Sequence, residues 1–594
     1  MPGGEFLAGF DGLTALFLAP VAVVFALGSI YGLGYWKQVE HTGNGRKLRL
    51  FYGLLAAGMT LVLVARNAIV FLFGWETMAL SAFFLVATED DDAVVRETSW
   101  LYLVATHLAT LGLVALFSLM FAATGTHAFV PIAQAGVGPG VMIAMFALAL
   151  FGFGLKAGLM PLHVWLPSSH AIAPSHVSAI MSGVILKMGV YGLVRFTSLV
   201  ESPPLEWGAI VLGLGIVSGV LGVAFAIGQH DLKRLLAYHS IENIGIIAIG
   251  LGLALLGRSL GRHDWIVLGL AGGLLHVWNH ALFKSLLFLA AGSVIHATHT
   301  RDIDHLGGLA KTMPITAFCF LVGAVAICGL PPLNGFVSEW LIYLGLFHAA
   351  VADADATSTA VALAAPALAL VGALAVACFV KVFGAAFLGS GRTPHVDRAR
   401  EGGAAVVAPM LALTACCAAI GMAPQWCAPV LDGAIAAWAP GSFAESSPSV
   451  ASVAPLSTVS VMALSLAAAL AMLWYAFHGR LRRTAVSRAA TWGCGFARPT
   501  ARMQYTSSSF AQMLVRLFDI VLRPAEAAPR IAGPFPPATK YHGDVGDTTL
   551  DRVVRPLFRA GGWLCGQLRF LQRGKIQANV LYIVLALVAL LLCQ

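Results

Sequence analysis

The sequence predicts an all-α integral membrane protein with about 14 transmembrane helices, and three observations carry that reading. Only 11% of the 594 residues are charged, whereas 59% are apolar; soluble domains carry about a quarter charged residues, so there is too little charge here to cover a water-facing surface. Apolar runs of roughly 20 residues recur from end to end, long enough to cross a hydrocarbon core about 30 Å thick. The runs are continuous rather than alternating. Lipid forces the backbone to satisfy itself, which leaves helices or a closed barrel, and a barrel needs alternation.

In chain order the runs place spans at 11–35, 48–65, 67–88, 98–122, 140–165, 175–198, 207–228, 234–256, 265–297, 312–350, 359–388, 404–424, 455–477 and 577–593. The 312–350 run is too long for one straight crossing, and Pro331 and Pro332 interrupt it, so it reads as one crossing with a broken middle. The 140–165 run breaks in the same way at Pro161-Leu162-His163-Val164-Trp165-Leu166-Pro167. Two broken helices at corresponding places point to inverted repeats around a transport pathway.

The loops orient the chain. Lys37, Arg46, Lys47, Arg49, Arg96, Lys233, Arg234, Arg301, Lys311, Arg392, Arg398, Arg400, Arg480, Arg482 and Arg483 fall in one alternating set, and Arg66, Arg258 and Arg262 in the other. Lysine and arginine favour the cytoplasmic side. The expectation is a multi-pass protein of the cell inner membrane with both termini on the outer, periplasmic side. Residues 1–10 lack the basic start of a signal peptide. Three regions follow: a transmembrane core over 1–478, a cytoplasmic loop and amphipathic helix over 479–576, and an anchor over 577–594. Within 548–572, Leu550, Val553, Val554, Leu557 and Phe558 share a face, with Arg552, Arg555 and Arg559 opposite. Such a helix lies along the cytoplasmic membrane surface, the plain alternative being a loosely ordered basic loop.

Several ionisable residues interrupt the apolar runs. A charge at mid-bilayer costs about 2.5–3.5 kcal/mol on insertion scales, so such residues are rare and functional by default. Glu76 lies mid-span, Lys156 follows sixteen uncharged residues, and Lys187 is mid-span. His276, His280 and Lys284 recur every four residues and so share a helix stripe. Glu339 follows the second break, and Lys381 lies towards the cytoplasmic end of its span. Lysine suits a proton relay because burial weakens its hold on the proton and a carboxylate restores it; arginine cannot be deprotonated, and histidine titrates near neutrality. The competing readings are structural ion pairs, Glu76 with Lys156 among them, and snorkelling, which suits Lys381 best. His163 either gates the first break or satisfies its backbone. His239 and Glu242 form either a gate or proton entry, or a boundary helix cap.

Other classes find little support. None of the nine cysteines forms a C-x-x-C pair, which argues against iron–sulfur, zinc or disulfide frameworks. A P-loop and a Rossmann fingerprint in a strand–helix setting are both missing from the sequence. The expectation is that this chain binds no cofactor. The net charge of +8 sits in short loops, so it is read as membrane orientation rather than nucleic-acid binding.

These residues resemble the proton-translocating antiporter-like family, which includes the large membrane subunits of respiratory complex I, the multisubunit sodium/proton antiporters and the group-4 hydrogenases. The shared elements are Gly74-Trp75-Glu76; Lys156 with Pro161 through Pro167; Ser182-Gly183 through Lys187-Met188-Gly189-Val190-Tyr191-Gly192; Asp231-Leu232-Lys233-Arg234-Leu235-Leu236-Ala237-Tyr238; His280 through Lys284; and Gly329-Leu330-Pro331-Pro332 through Gly335-Phe336 and Glu339. Three further stretches look like component B of hydrogenase-four and formate hydrogenlyase complexes: Tyr238-His239-Ser240-Ile241-Glu242-Asn243-Ile244-Gly245, Phe379-Val380-Lys381-Val382-Phe383-Gly384, and residues 491–510.

The resemblance implies that Glu76 and Lys156 form a modulating ion pair, that Lys187 is the central relay continued by His280 and Lys284, and that Glu339 faces the outer exit. It likens the surface helix to the lateral brace of complex I. It implies a non-catalytic, ion-translocating subunit of an oxidoreductase complex, with other membrane subunits and a soluble hydrogenase-like or formate-oxidising arm as partners, and protons as cargo, with sodium as the alternative ion. A cation/proton antiporter subunit without a redox partner is the competing function; a purely structural scaffold leaves the buried lysines unexplained. The stretch Phe10-Asp11-Gly12-Leu13-Thr14-Ala15-Leu16-Phe17 resembles one that follows two earlier helices in the family, and those two are missing from this sequence.

Overall fold

The computed structural model describes residues 6–132, 137–351, 356–440, 448–484, 494, 495, 500, 503–527, 529, 533–535, 537, 539, 542–567, 569, 580–585, 587 and 588. The chain is helical almost throughout. The first helices are α1 (Gly12–Tyr35), α2 (Gly45–Val64), α3 (Ala68–Val86) and α4 (Ala93–Thr124). Short polar caps set their starts: Asp11 accepts from Thr14 N at 2.9 Å, and Asn67 from Val70 N at 2.8 Å. Next come α5 (Pro139–Ala157), α6 (Leu166–Ile172), α7 (Ser175–Ser198), α8 (Leu205–Ile227), α9 (Leu232–Leu260) and α10 (His263–Thr298). Beyond these lie α11 (Pro314–Ile327), α12 (Asn334–Val351), α13 (Ala356–Phe387), α14 (Ala404–Met422), α15 (Ala428–Trp438) and α16 (Leu456–Arg483). Outside the bundle are α17 (Ser507–Leu517), a two-stranded antiparallel ribbon of β1 (Ala525–Ala527) and β2 (His542–Asp544), and α18 (Arg555–Gln567), preceded by the π-helical turn Leu550–Val554.

Among the described residues, twelve helices are long and apolar enough to cross a membrane. The run expected as one broken crossing is the pair α11–α12, of which α11 is apolar but only 14 residues long. The expected span 577–593 lies mostly outside the described residues, as does the end of the amphipathic stretch beyond 569. The described part of that stretch is helical, half-buried at Thr548, Thr549, Leu550 and Val554 and exposed elsewhere. The short α15 was not anticipated from the sequence; its Trp438 Nε1 donates to Thr197 Oγ1 at 3.0 Å.

Polar contacts gather the loops into two opposite ends. At one end Lys47 pairs with Asp90 (3.1 Å), Arg301 with Asp231 (3.1 Å), and Lys311 and Arg392 donate to Gly389 O and Leu306 O. This is where the basic loops meet, as the alternation of lysine and arginine requires. At the other end Arg258 donates to the carbonyls of Thr197, Val200 and Glu201.

Between the ends, α8 and α9 pack with almost no separation. A Cβ placed at Gly245 would lie 2.5 Å from Gly219 N, and one at Gly222 would lie 2.7 Å from Glu242 N. Small residues let backbones approach where lipid supplies no hydrophobic drive of its own, and here the close approach seals α8 over Glu242.

At the end away from the basic loops, Asp11 binds Arg195 at 2.8 Å and Arg66 at 3.4 Å, tying α1, α7 and the α2–α3 turn together. Partial burial pushes its pKa up, but the Arg195 and Arg66 guanidiniums and the Thr14 N–H outweigh it and hold the carboxyl at about 2. The folded value lies below the unfolded one, so this stabilisation is present above about pH 4 and is lost as pH falls towards 2. Asp11→Asn is expected to cost about 1–2 kcal/mol at pH 7 after allowance for solvent screening. The gap to the parent should close on acidification in thermal unfolding of the detergent-solubilised protein; a gap that persists at pH 3 refutes the linkage.

Candidate functional site

Two breaks in the helical ladder and one widened turn frame the buried polar groups. The first break, at 158–165 between α5 and α6, carries Pro161 and His163; the second, at 328–333 between α11 and α12, carries Pro331 and Pro332. Freed backbone groups find side-chain or main-chain partners, as a low-dielectric setting requires: Met160 N donates to Ser218 Oγ (3.0 Å), Trp165 Nε1 to Leu155 O (2.9 Å), and Asn279 Nδ2 to Asn334 O (2.7 Å). Within α7, the π-helical turn Met181–Ile185 immediately precedes Lys187. Such turns recur at functional sites. Here the carbonyl of Ser182, inside the widened turn, accepts from Lys187 Nζ at 2.7 Å.

Lys187 Nζ also hydrogen-bonds directly to His280 Nδ1. One turn back on α10, the ring of His276 lies parallel to that of His280, centroids 6.4 Å apart. His276 then joins two more helices, through Nε2 to Asn243 Oδ1 on α9 (3.0 Å) and through Nδ1 to Ser338 Oγ on α12 (2.9 Å). Ser338 adjoins Glu339, whose carboxylate packs against Gly329 in the second break: a Cβ there would lie 2.5 Å from Oε2. The line thus runs from α7 across α10 to the second broken helix.

Serines give a parallel connection. Ser182 and Ser240 share a hydrogen bond of 2.8 Å, Ser240 Oγ reaches Leu236 O at 3.3 Å, and Lys284 Nζ donates to that same carbonyl. On α9, His239 and Glu242 bond to each other, both fully buried, and Asn243 Nδ2 donates to His239 O at 2.7 Å. The pair is therefore part of the buried network rather than a boundary cap. The cap of α9 is Asp231, which accepts from Lys233 N and Arg234 N at 2.9 Å each.

The chemistry at His276 suits a group that gains and loses a proton. Asn243 Oδ1 can only accept, so Nε2 carries a hydrogen. Ser338 also contacts Gly335 O at 3.0 Å. Its hydroxyl can donate to Gly335 O while Nδ1–H donates to it, or turn and donate to a bare Nδ1. Both charge states of the ring are satisfied without moving a heavy atom.

Other expected residues sit differently. Glu76 and Lys156 make no direct ion pair. Lys156 Nζ turns inward to the hydroxyl of Tyr102 (3.1 Å), between the rings of Trp75 and Tyr102. Glu76 faces α4, accepting from Thr110 Oγ1 at 2.5 Å with His107 Nε2 at 3.6 Å, and its side chain is 31% exposed. The two residues communicate only through space. Lys381 does not snorkel; it donates to Ile227 O and Gln229 O at 2.7 and 3.0 Å, at the carboxyl end of α8, where a cation is favoured by the helix dipole. His163 does not cap the broken backbone; its Nε2 lies 3.2 Å from Asp547.

Asp547 was invisible to sequence reasoning. It comes from the 479–576 region, which is no detached loop over its later part: Val545 O accepts from Gln229 Nε2 (3.1 Å), Val545 packs on Gly228, and Tyr238 OH donates to Asp547 at 3.0 Å. Burial pushes the Asp547 carboxyl up, but His163, the Leu550 N–H and the Tyr238 hydroxyl together hold it below the usual range. Tyr102, Asn243, Ser182, Ser240 and Ser338 were also missed. Only Asn243 had a readable signal, four residues after His239 on the same helical face.

Comparison with known proteins places this arrangement. Residues 65–363 match the family described as "NADH:quinone oxidoreductase/Mrp antiporter, TM". Hydrogenase-4 component B of Escherichia coli (strain K12) is 35% identical, the match covering 98% of this chain and 88% of the relative. Formate hydrogenlyase subunit 3 of the same organism is 35% identical over 86% of this chain and 81% of its own. In fold, the chain is similar to a subunit of the membrane-bound sulfane sulfur reductase, an archaeal respiratory membrane complex: TM-score 0.74, 23% identity, covering 98% of this chain and 89% of that one.

The Asp547 contacts generate a prediction for the segment that carries it. A charge-assisted hydrogen-bond pair is worth about 1.5–3 kcal/mol, and each 1.4 kcal/mol is about tenfold. Asp547→Asn should therefore raise the rate of protease nicking within 542–549 about tenfold at pH 7. The carboxyl is held low in the folded protein, so the protection exists above about pH 4 and fades below it. Equal nicking rates in parent and variant at pH 7 would rule the pairing out.

Proposed function

Since the chain belongs to the NADH:quinone oxidoreductase/Mrp antiporter family of membrane subunits, we propose that it is the proton-translocating subunit of a redox-driven complex of the hydrogenase-four or formate hydrogenlyase kind. The observation that carries this reading is the row of buried polar side chains from Lys187, hydrogen-bonded to His280, through the parallel ring of His276, its centroid 6.4 Å away, to Ser338 beside Glu339. Lys187 and Lys284 hold and release the proton, His276 and His280 pass it between helices, and Glu339 delivers it at the second break. Lys156 and Glu76 act on the row through space, and His239 with Glu242 supplies a carboxylate to Lys284.

The chain works beside other membrane subunits and a soluble hydrogenase-like or formate-oxidising arm that holds the redox centres. The family's Mrp members support a second reading, a cation/proton antiporter subunit without a redox arm. Iron–sulfur or nickel in the purified complex decides between them. The basic loops face the cytoplasm, both termini face outward, and the helix ending at Gln567 rests on the cytoplasmic membrane surface.

Lys187→Met and Lys284→Met should each abolish proton translocation, by at least tenfold, with assembly intact. The test is acidification of vesicles containing the complete complex, driven by formate or a reduced viologen. Normal acidification with both substitutions present would sink the relay.

A further inference from the structure

The row described so far begins inside the protein, and a groove between α1 and α2 offers it a way in. The groove holds about 430 Å³ and opens at the basic end, where Trp36, Gln38 and Arg49 line its mouth. Its floor is the ring of His176 on α7, reached because α1 presents Gly28 and Gly32 there instead of side chains. A Cβ at Gly32 would already lie 3.4 Å from His176 Cδ2. His176 is 1% exposed, and its Nδ1 has no hydrogen-bond partner. An imidazole nitrogen buried without a partner is costly, so a residue kept in that state at the bottom of a groove calls for a use.

The groups behind His176 continue inward. The rings of Tyr35 and Tyr52 flank it at 5.8 and 6.0 Å, and His296 lies beyond Tyr35. On its inner side Lys233 of α9 donates to Ala173 O, in the bend between α6 and α7. Across the same bend lies His170, fully buried, with neither ring nitrogen hydrogen-bonded. Lys233 is within electrostatic reach of both histidines, and His170 also feels Lys284 and Lys187. His170 and Lys284 lie against the same ring, that of Phe288, whose centroid is 5.6 Å from that of His170 and 5.1 Å from Lys284 Nζ. Of these groups only Lys284 and Lys187 belong to the relay already described; His176, Lys233, His170 and the flanking tyrosines have no part in it.

We propose that the groove between α1 and α2 is a proton intake port, in which His176 takes protons from the basic-end solvent and passes them by way of Lys233 and His170 to Lys284. No bond other than N–H is made or broken: each base accepts a proton as its inner neighbour receives the one it held. The inference rests on the relay proposed above and adds its entrance. It also gives Gly32 a reason, since a side chain that extends beyond Cβ there fills the window over His176.

The test uses the complete complex in vesicles, driven as above, with Lys187→Met as the control. His176→Phe, which fills the floor without a titratable atom, should reduce proton translocation at least tenfold with assembly unchanged. Gly32→Leu, which leaves His176 intact and blocks the window, should do the same. His176→Ala should be slow, and imidazole added on the basic-loop side should restore it severalfold by entering the vacated space; the same addition should leave His176→Phe slow. Translocation within twofold of the parent in both His176→Phe and Gly32→Leu, while Lys187→Met is inactive, overturns the port and leaves the relay standing. Full activity in Lys187→Met overturns both.

Discussion

Every buried lysine amine must be solvated by protein, and for four of the five buried lysines among the described residues the group chosen is a backbone carbonyl, Lys156 on the Tyr102 hydroxyl being the exception. Lys187 rests on Ser182 O, Lys233 on Ala173 O, Lys284 on Leu236 O, and Lys381 on Ile227 O and Gln229 O. A carboxylate in contact would have locked each lysine in its charged form, because breaking a buried pair costs about 3–5 kcal/mol. A carbonyl accepts from an ammonium and, more weakly, from a neutral amine, so the contact survives a change of charge. The arrangement keeps the lysines buried without fixing their protonation state, and the ability to move a proton depends on that.

A regular helix has few carbonyls to spare, since each is taken by the N–H four residues on. The irregularities meet most of this demand; Leu236 O, within the second turn of α9, is the exception and is shared by Lys284 and Ser240. The π-helical turn in α7 presents Ser182 O, the bend between α6 and α7 presents Ala173 O, and the carboxyl end of α8 presents Ile227 O and Gln229 O. The proline breaks act in the same way, placing Asn334 and Glu339 where an intact helix would have run past. Backbone departures from regularity and buried charge are thus one feature seen from two sides.

Much of this was legible from the residues. Spans, breaks and the alternation of basic loops follow from hydropathy, proline position and charge, and each is dictated by the solvent around the chain rather than by contacts within it. The stripe of His276, His280 and Lys284 follows from helical spacing alone. Partner choice does not. Nothing local distinguishes a Glu76 that reaches Lys156 from one that turns to Thr110, because that depends on how α3, α4 and α5 are rotated against each other. The π-helical turn has no sequence mark, and Asp547 reaches His163 across nearly four hundred residues of chain, a contact no periodicity encodes.

The position of the row within the bundle follows from the same electrostatic demand. The apolar stretches of α7 and α9 are buried along their whole length, whereas only 22% of that of α16 is. A titratable side chain on α16 would meet lipid, where no dipole can turn to meet a new charge and the full insertion cost recurs at each protonation step. On α7, α9 and α10 the surrounding carbonyls, amides and hydroxyls are already oriented, so that cost is met once, in folding. The glycine-lined contact of α8 with α9 extends this shielding, excluding lipid from Glu242 by backbone alone. A proton line therefore belongs on the innermost helices, and the outer ones are left apolar and bare for lipid or neighbouring subunits.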